Sequence, residues 1–205
     1  MIDPVILLAF LPAGLALNLT PGADMMFCLA QGLRGSPRAG WAASGGIALG
    51  GLAHVTLAAL GLGALVAAHP ALFDAIRWAG AGYLLWLAWK SLRTPLSGAE
   101  ARILPPRQAA LQGLVVNLTN PKVILFVLAL LPQFTDPSRP LLPQFLALGA
   151  VFSLGGFVIN GLVGQFAARA RNLLRPGARA ERVLRGISAT LFGGLAVRLV
   201  LSSRN

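Results

Sequence analysis

Six apolar blocks, at roughly 4–30, 41–68, 71–92, 110–134, 144–168 and 186–202, constrain this chain more than any other feature. Crossing the hydrocarbon core of a bilayer takes roughly 20 helical residues. Most of the blocks reach that length; the third and sixth are short, and the second is broken up by glycines. Backbone groups in lipid must find partners within their own segment, and the period-2 alternation of a strand barrel is too weak here, so helices are expected. The predicted fold is an all-α polytopic membrane protein of six transmembrane helices in one domain over residues 1–205. The opening stretch MIDPVILLAFLPAGLALNLTPG lacks the basic region of a secretory signal and reads as a retained first helix.

Charge supports this reading. Only 11% of the 205 residues are charged, against roughly 25% in soluble domains, and the mean hydropathy is +0.74. A net charge of +11 would suit a nucleic-acid partner, but the basic residues lie between apolar blocks and leave no soluble module to read a groove. No nucleic acid is expected. The single cysteine, Cys28, rules out an intrachain disulfide and a cysteine metal cluster.

The basic residues also orient the chain. Arg34 and Arg38 lie in the first connection, Lys90, Arg93, Arg102 and Arg107 around the third, and Arg169, Arg171, Arg175, Arg179, Arg182 and Arg185 in the fifth. Only Arg77, Arg139, Arg198 and Arg204 fall on the other side. The positive-inside rule places the odd connections in the cytoplasm and both termini outside. The arginines from 169 to 185 could also meet anionic lipid headgroups, although setting the topology accounts for them.

Residues 14–20 read GLALNLT and residues 113–119 read GLVVNLT, an offset of 99 that pairs Gly14 with Gly113, Asn18 with Asn117 and Thr20 with Thr119. A proline follows closely in each, Pro21 and Pro121. The halves, approximately 1–95 and 108–205, hold three helices each, and an odd number forces them to run oppositely through the membrane. This predicts a 3+3 inverted repeat whose first helices are broken, as in many secondary transporters. Proline lacks the amide hydrogen and presses on the preceding turn, and Gly22 loosens the first break further. Asn18, Thr20, Pro21, Gly22, Asn117, Thr119, Asn120 and Pro121 therefore frame a candidate substrate site, or else the polar members simply mend the kinks.

Asp24 and Lys122 lie beside these breaks among apolar residues. A charge inside the bilayer costs at least about 2.5–3.5 kcal/mol and is usually kept for pairing or transport. The expectation is that Asp24 takes up a proton or binds an ammonium group, and that Lys122 meets a substrate carboxylate or gates Asp24; a static ion pair, or a snorkelling lysine, is the plainer alternative. His54, Tyr83 and Asn160 are weaker candidates. Tyr83, Trp86 and Trp89 recur every three residues, as packing or an interfacial aromatic belt would require. The glycines of the second and fifth blocks suit close helix packing.

No phosphate-binding loop, nucleophile elbow or zinc-protease motif occurs, and no pair of intramembrane carboxylates could act as acid and base, so no enzyme activity and no cofactor are expected. The cassette NLTPGADM, the stretch AGAGYLLWLAWKSLR and above all GLVVNLTNPKVILFVLALLPQF resemble the LysE/RhtB group of bacterial amino-acid exporters; Ala23 departs where that family commonly has a second proline. The resemblance implies a bacterial inner-membrane exporter of basic or small neutral amino acids such as lysine, arginine, threonine or homoserine, proton-driven, with a homodimer among its implied states. A nontransporting scaffold and an exporter of another solute, such as a metal ion, stay open beside it. For a metal cargo the ligand set of one carboxylate, one cysteine and one histidine is thin.

Overall fold

The computed structural model describes residues 3–33, 36–68, 104–136 and 138–170, with separate helical positions between 75 and 93 and between 186 and 201. Among these residues every regular element is a helix. Helix α1 spans Pro4–Leu19, α2 Ala23–Leu33, α3 Pro37–Ala68, α4 Pro106–Leu118, α5 Pro121–Leu125 and α6 Leu141–Ala170. After Leu125 the chain widens into a π turn over Phe126–Leu130 and tightens into a 3₁₀ turn over Leu131–Phe134.

Among the described residues two helices, α3 and α6, are long and apolar enough to cross a membrane over Pro37–Gly61 and Leu141–Arg169. Two broken pairs reach that length together: α1 with α2, bent by 52°, and α4 with the helical run Pro121–Phe134, bent by 51°. The chain is thus an all-α polytopic membrane protein with broken first and fourth spans. Most of the third and sixth blocks, and the arginines from 171 to 185, lie outside the described residues. The described positions of both blocks are helical, and Ala81 and Ala196 are buried in the main apolar core.

Local sequence accounts for where the helices start. Asp3 accepts the amide of Val5 at 2.8 Å, with Pro4 at the first position of α1, and Ser36 Oγ accepts the amide of Ala39 at 3.2 Å beside Pro37. A hydroxyl or carboxylate before a proline satisfies one of the free amides of a first turn. The 32 residues of α3 extend about 48 Å, longer than a hydrocarbon core, which is consistent with a tilted span.

Two apolar clusters hold the helices together. One joins Phe10, Phe126, Phe134, Phe145 and Phe152 with Leu130, Leu131 and Val55; Phe10 meets Phe134 edge-on at 5.2 Å, and Phe126 stacks on Phe152 at 5.1 Å. The other gathers Cys28, Ala39, Ala43, Ile47 and Ala109. Lipid gives apolar side chains little reason to leave it, so helix association here depends on close backbone approach. A Cβ on Gly46 would meet the Ala110 carbonyl of α4, and one on Gly113 would meet the Ala43 carbonyl of α3. Gly32, Gly40 and Gly164 bring α2, α3 and α6 together in the same way.

The turn before α6 is held by one side chain. Gln144, buried, accepts the Asp136 amide at 2.8 Å and donates to the Asp136 carbonyl at 2.9 Å and the Pro140 carbonyl at 3.1 Å. Ser138 donates its hydroxyl (2.6 Å) and amide (2.9 Å) to the Asp136 carboxylate, and Arg139 pairs with it at 3.2 Å. The Ser138 bonds, more than the arginine, hold this half-buried carboxyl below its ordinary range. Trp89 is exposed with the Arg93 guanidinium 4.9 Å above its ring, an arrangement that suits an interfacial belt.

Gly46→Val is expected to destabilise the protein in detergent by about 1–3 kcal/mol, because backbone on α4 cannot yield to the added carbons. An unchanged thermal midpoint would show that α3 and α4 need not approach so closely. Because the Asp136 pKa is depressed, its contribution to the turn is present above the ordinary carboxylate pKa and lost as pH falls through the folded value. Ser138→Ala is expected to raise the Asp136 pKa toward the usual value, as read by carboxyl NMR titration.

Candidate functional site

In an α-helix the amide of residue i donates to the carbonyl of residue i−4. Pro21 and Pro121 have no amide hydrogen, so Leu17 and Asn117 each lose their helical donor. The structure supplies a side chain to both. Lys122 Nζ donates to the Leu17 carbonyl at 3.2 Å and to the Thr20 carbonyl at 3.0 Å. His54 Nε2 lies 3.1 Å from the Asn117 carbonyl, which requires the proton on Nε2. Each freed carbonyl also accepts a tight-turn amide, Thr20 to Leu17 at 3.3 Å and Asn120 to Asn117 at 2.9 Å.

The two cassettes share their local geometry. Thr20 Oγ1 donates back to the Ala16 carbonyl at 2.6 Å, and Thr119 Oγ1 donates back to Val115 at 2.8 Å. The paired asparagines each reach into a distant part of the chain. Asn18 Nδ2 donates to the Phe152 carbonyl of α6 at 3.0 Å, and Asn117 Nδ2 donates to Asp24 Oδ2 of α2 at 2.9 Å. The second break carries one more residue, Asn120, whose side chain accepts the Lys122 amide at 3.0 Å and starts α5.

Asn18, Thr20, Asp24, Asn117, Lys122 and Asn160 meet around two adjoining small cavities near the middle of the α3 span. One, about 10 Å³, is lined by Asn18, Thr20, Asp24, Met25, Lys122, Phe152 and Asn160. The other, about 20 Å³, is lined by Asn18, Asp24, Gly51, Asn117, Ser153, Gly156 and Asn160. Asn120 is buried at the second break and lines neither cavity. Each cavity has room for about one water, so the site is closed around its polar groups. Asp24 Oδ1, Asn117 Oδ1, Asn160 Oδ1, Ser153 Oγ and Asn120 Nδ2 are buried without a hydrogen-bond partner. Unpaired polar atoms at this depth are costly and mark function more often than packing.

The static ion pair, the plainer alternative for Asp24 and Lys122, does not form. Asp24 and Lys122, both buried, line the same cavity, but the ammonium is spent on backbone carbonyls and the carboxylate on Asn117. Gly22 makes the lysine's position accessible, since a Cβ there would fall 2.9 Å from Lys122 Nζ. Gly50 does the same for Asn117, whose Oδ1 would lie 2.6 Å from a Cβ.

Thr119 and Pro121 are exposed and not brought to the cavities. His54 acts on the break from outside and faces a separate apolar cavity of about 370 Å³ with Leu57, Ile124 and Val127. Tyr83 lies outside the described residues. Ser153 is a site residue that sequence reasoning missed. Its signal was its spacing of seven from Asn160, two helical turns on one face of α6.

Residues 15–203 match the family described as LysE type translocator. The chain is 37% identical over 175 residues to an uncharacterized membrane protein of Vibrio cholerae, covering 82% of this chain and 84% of that one. It is 32% identical to a leucine efflux protein of Enterobacter sp., with 88% of each chain covered. It is 35% identical to a homoserine/homoserine lactone efflux protein of Salmonella typhi, covering 69% of this chain and 70% of the relative. No solved structure matches the chain.

Lys122→Met keeps the length of the side chain and removes both of its charge-assisted hydrogen bonds. It is expected to destabilise the protein by about 1.5–3 kcal/mol, read as a lower midpoint in detergent, whereas an unchanged midpoint would show that the bonds to α1 contribute nothing net.

Proposed function

The chain belongs to the LysE type translocator family, and from that premise we propose that it is a secondary active exporter of amino acids across the bacterial inner membrane, working by proton antiport with alternating access. The observation that carries this reading is the closed polar site where two broken helices meet, with Asp24 and Lys122 buried on its walls.

Opposite charges suit the two ends of an amino acid. Asp24, with the acceptor oxygens of Asn117 and Asn160, suits the ammonium; Lys122, with the unpaired Nδ2 of Asn120, suits the carboxylate. The relatives named for leucine and for homoserine efflux handle solutes of that kind. Basic and small neutral amino acids both enter the proposal, with lysine, arginine, threonine and homoserine as candidates.

The cavities are far smaller than any amino acid, so binding requires the halves to part. A 3+3 inverted repeat, with the odd connections in the cytoplasm and both termini in the periplasm, gives a natural way to open the site to each side in turn. The site faces the substrate in one state and the proton in the other: a protonated Asp24 no longer attracts an ammonium, which couples the two fluxes.

Proteoliposomes loaded with a labelled amino-acid panel test this. Efflux of one or a few members, stimulated by an imposed pH gradient and lost in Asp24→Asn, is the expected result. Absence of efflux for the whole panel, from protein shown to be folded and inserted, would refute amino-acid export; equal gradient stimulation in Asp24→Asn would refute the proton role.

A further inference from the structure

The cavity of about 20 Å³ between α1, α2, α3, α4 and α6 has an unusual wall. Its polar residues are Asn18, Asp24, Asn117, Ser153 and Asn160, and those left with unpaired buried atoms present oxygen: Asp24 Oδ1, Asn117 Oδ1, Asn160 Oδ1 and Ser153 Oγ. All four of these residues are more than nine-tenths buried, Asp24 at 6%, Asn117 at 2%, Asn160 at 4% and Ser153 at 5% exposure.

Hydrogen bonds fix which way two of the amides face. Asn117 spends its Nδ2 on Asp24 Oδ2, and Asn18 spends its Nδ2 on the Phe152 carbonyl. Turning either amide over would set oxygen against oxygen, so their acceptor ends are held in place. Asn18 Oδ1 lies against Gly156, where a Cβ would come within 3.0 Å. Lys122 does not line this cavity, and its ammonium is engaged by the Leu17 and Thr20 carbonyls.

We infer that this chamber is a binding site for an unhydrated monovalent cation of about the size of sodium, held by Asp24, Asn117, Asn160 and Ser153 with Asn18 beside them. A set of oxygens carrying one carboxylate is the ligand chemistry of a hard cation, and carbonyl-type oxygens at broken helices hold coupling ions in other transporters. One formal charge matches a monovalent ion. Magnesium keeps several waters, for which there is no space, and calcium takes six to eight oxygens, commonly with more than one carboxylate. A single water could donate two hydrogens only, leaving other acceptors unpaired. The site also shares its acceptors with those assigned above to the substrate ammonium, so the cation, the ammonium and the coupling proton compete for Asp24. Only that last clause rests on the export reading; the cation site stands without it.

The test is the thermal midpoint of the purified full-length protein in detergent, in sodium, potassium or choline chloride at equal ionic strength. Sodium is expected to raise the midpoint over choline in a saturable way, with potassium weaker. Asp24→Asn is expected to abolish the rise, and Ser153→Ala and Asn160→Ala to increase the half-effect concentration about tenfold, as loss of one neutral ligand would. Equal midpoints in sodium and choline for folded wild-type protein would overturn the proposal, as would a sodium effect that all three variants retain or one that potassium matches. Since no transport is measured, these outcomes are independent of whether an amino acid is exported.

Discussion

Two missing amide hydrogens organise this protein. Inside a membrane a backbone carbonyl without a donor has no water to turn to, and Pro21 and Pro121 create that situation at Leu17 and Asn117. The repair is made by tertiary structure: the Lys122 ammonium closes the first break and His54 the second. A cation that would be costly in lipid is thereby made useful, since its charge rests against the carbonyl end of α1, where the helix dipole is negative. The bend angles of 52° and 51° show how similar the two solutions are.

Breaking the helices turns polar groups toward one another. Asn18 and Asn117 stand at matching places in the two cassettes, and each crosses to another helix, one to the α6 backbone and one to Asp24. These bonds leave the acceptor ends of the same side chains facing the cavities, so the structural and the binding halves of each amide are distinct. The chamber touches both apolar clusters, through Phe152 of one and Ile47 of the other, and such surroundings raise the cost of any unmatched charge within it.

Glycine sets how near the walls stand. At Gly46 and Gly113 it lets α3 and α4 touch backbone to backbone, at Gly50 it leaves space for Asn117, and at Gly22 for Lys122. A small residue thus serves packing in one place and seats a polar side chain in another. Both effects depend on the absence of a Cβ against a neighbouring helix, and a membrane protein that gains little from apolar burial relies on such approaches.

The sequence by itself determined the helical membrane class, the breaks at Pro21 and Pro121 and the matching of the cassettes, because hydrophobic length and proline chemistry act locally. It also exposed Asp24, Lys122 and the asparagines as costly residues in apolar surroundings. Which of them would touch was not legible. Asp24 and Lys122 read as a candidate ion pair, yet the lysine turned to the carbonyls of a helix more than a hundred residues away in sequence and Asn117 took the carboxylate. Thr119 matches Thr20 in the cassette, but one is exposed and the other buried, since only the packing of neighbouring helices decides which face of a break is covered. Ser153 joined the site for the same reason: its spacing places it on the face of Asn160, and only the fold shows that this face meets Asp24.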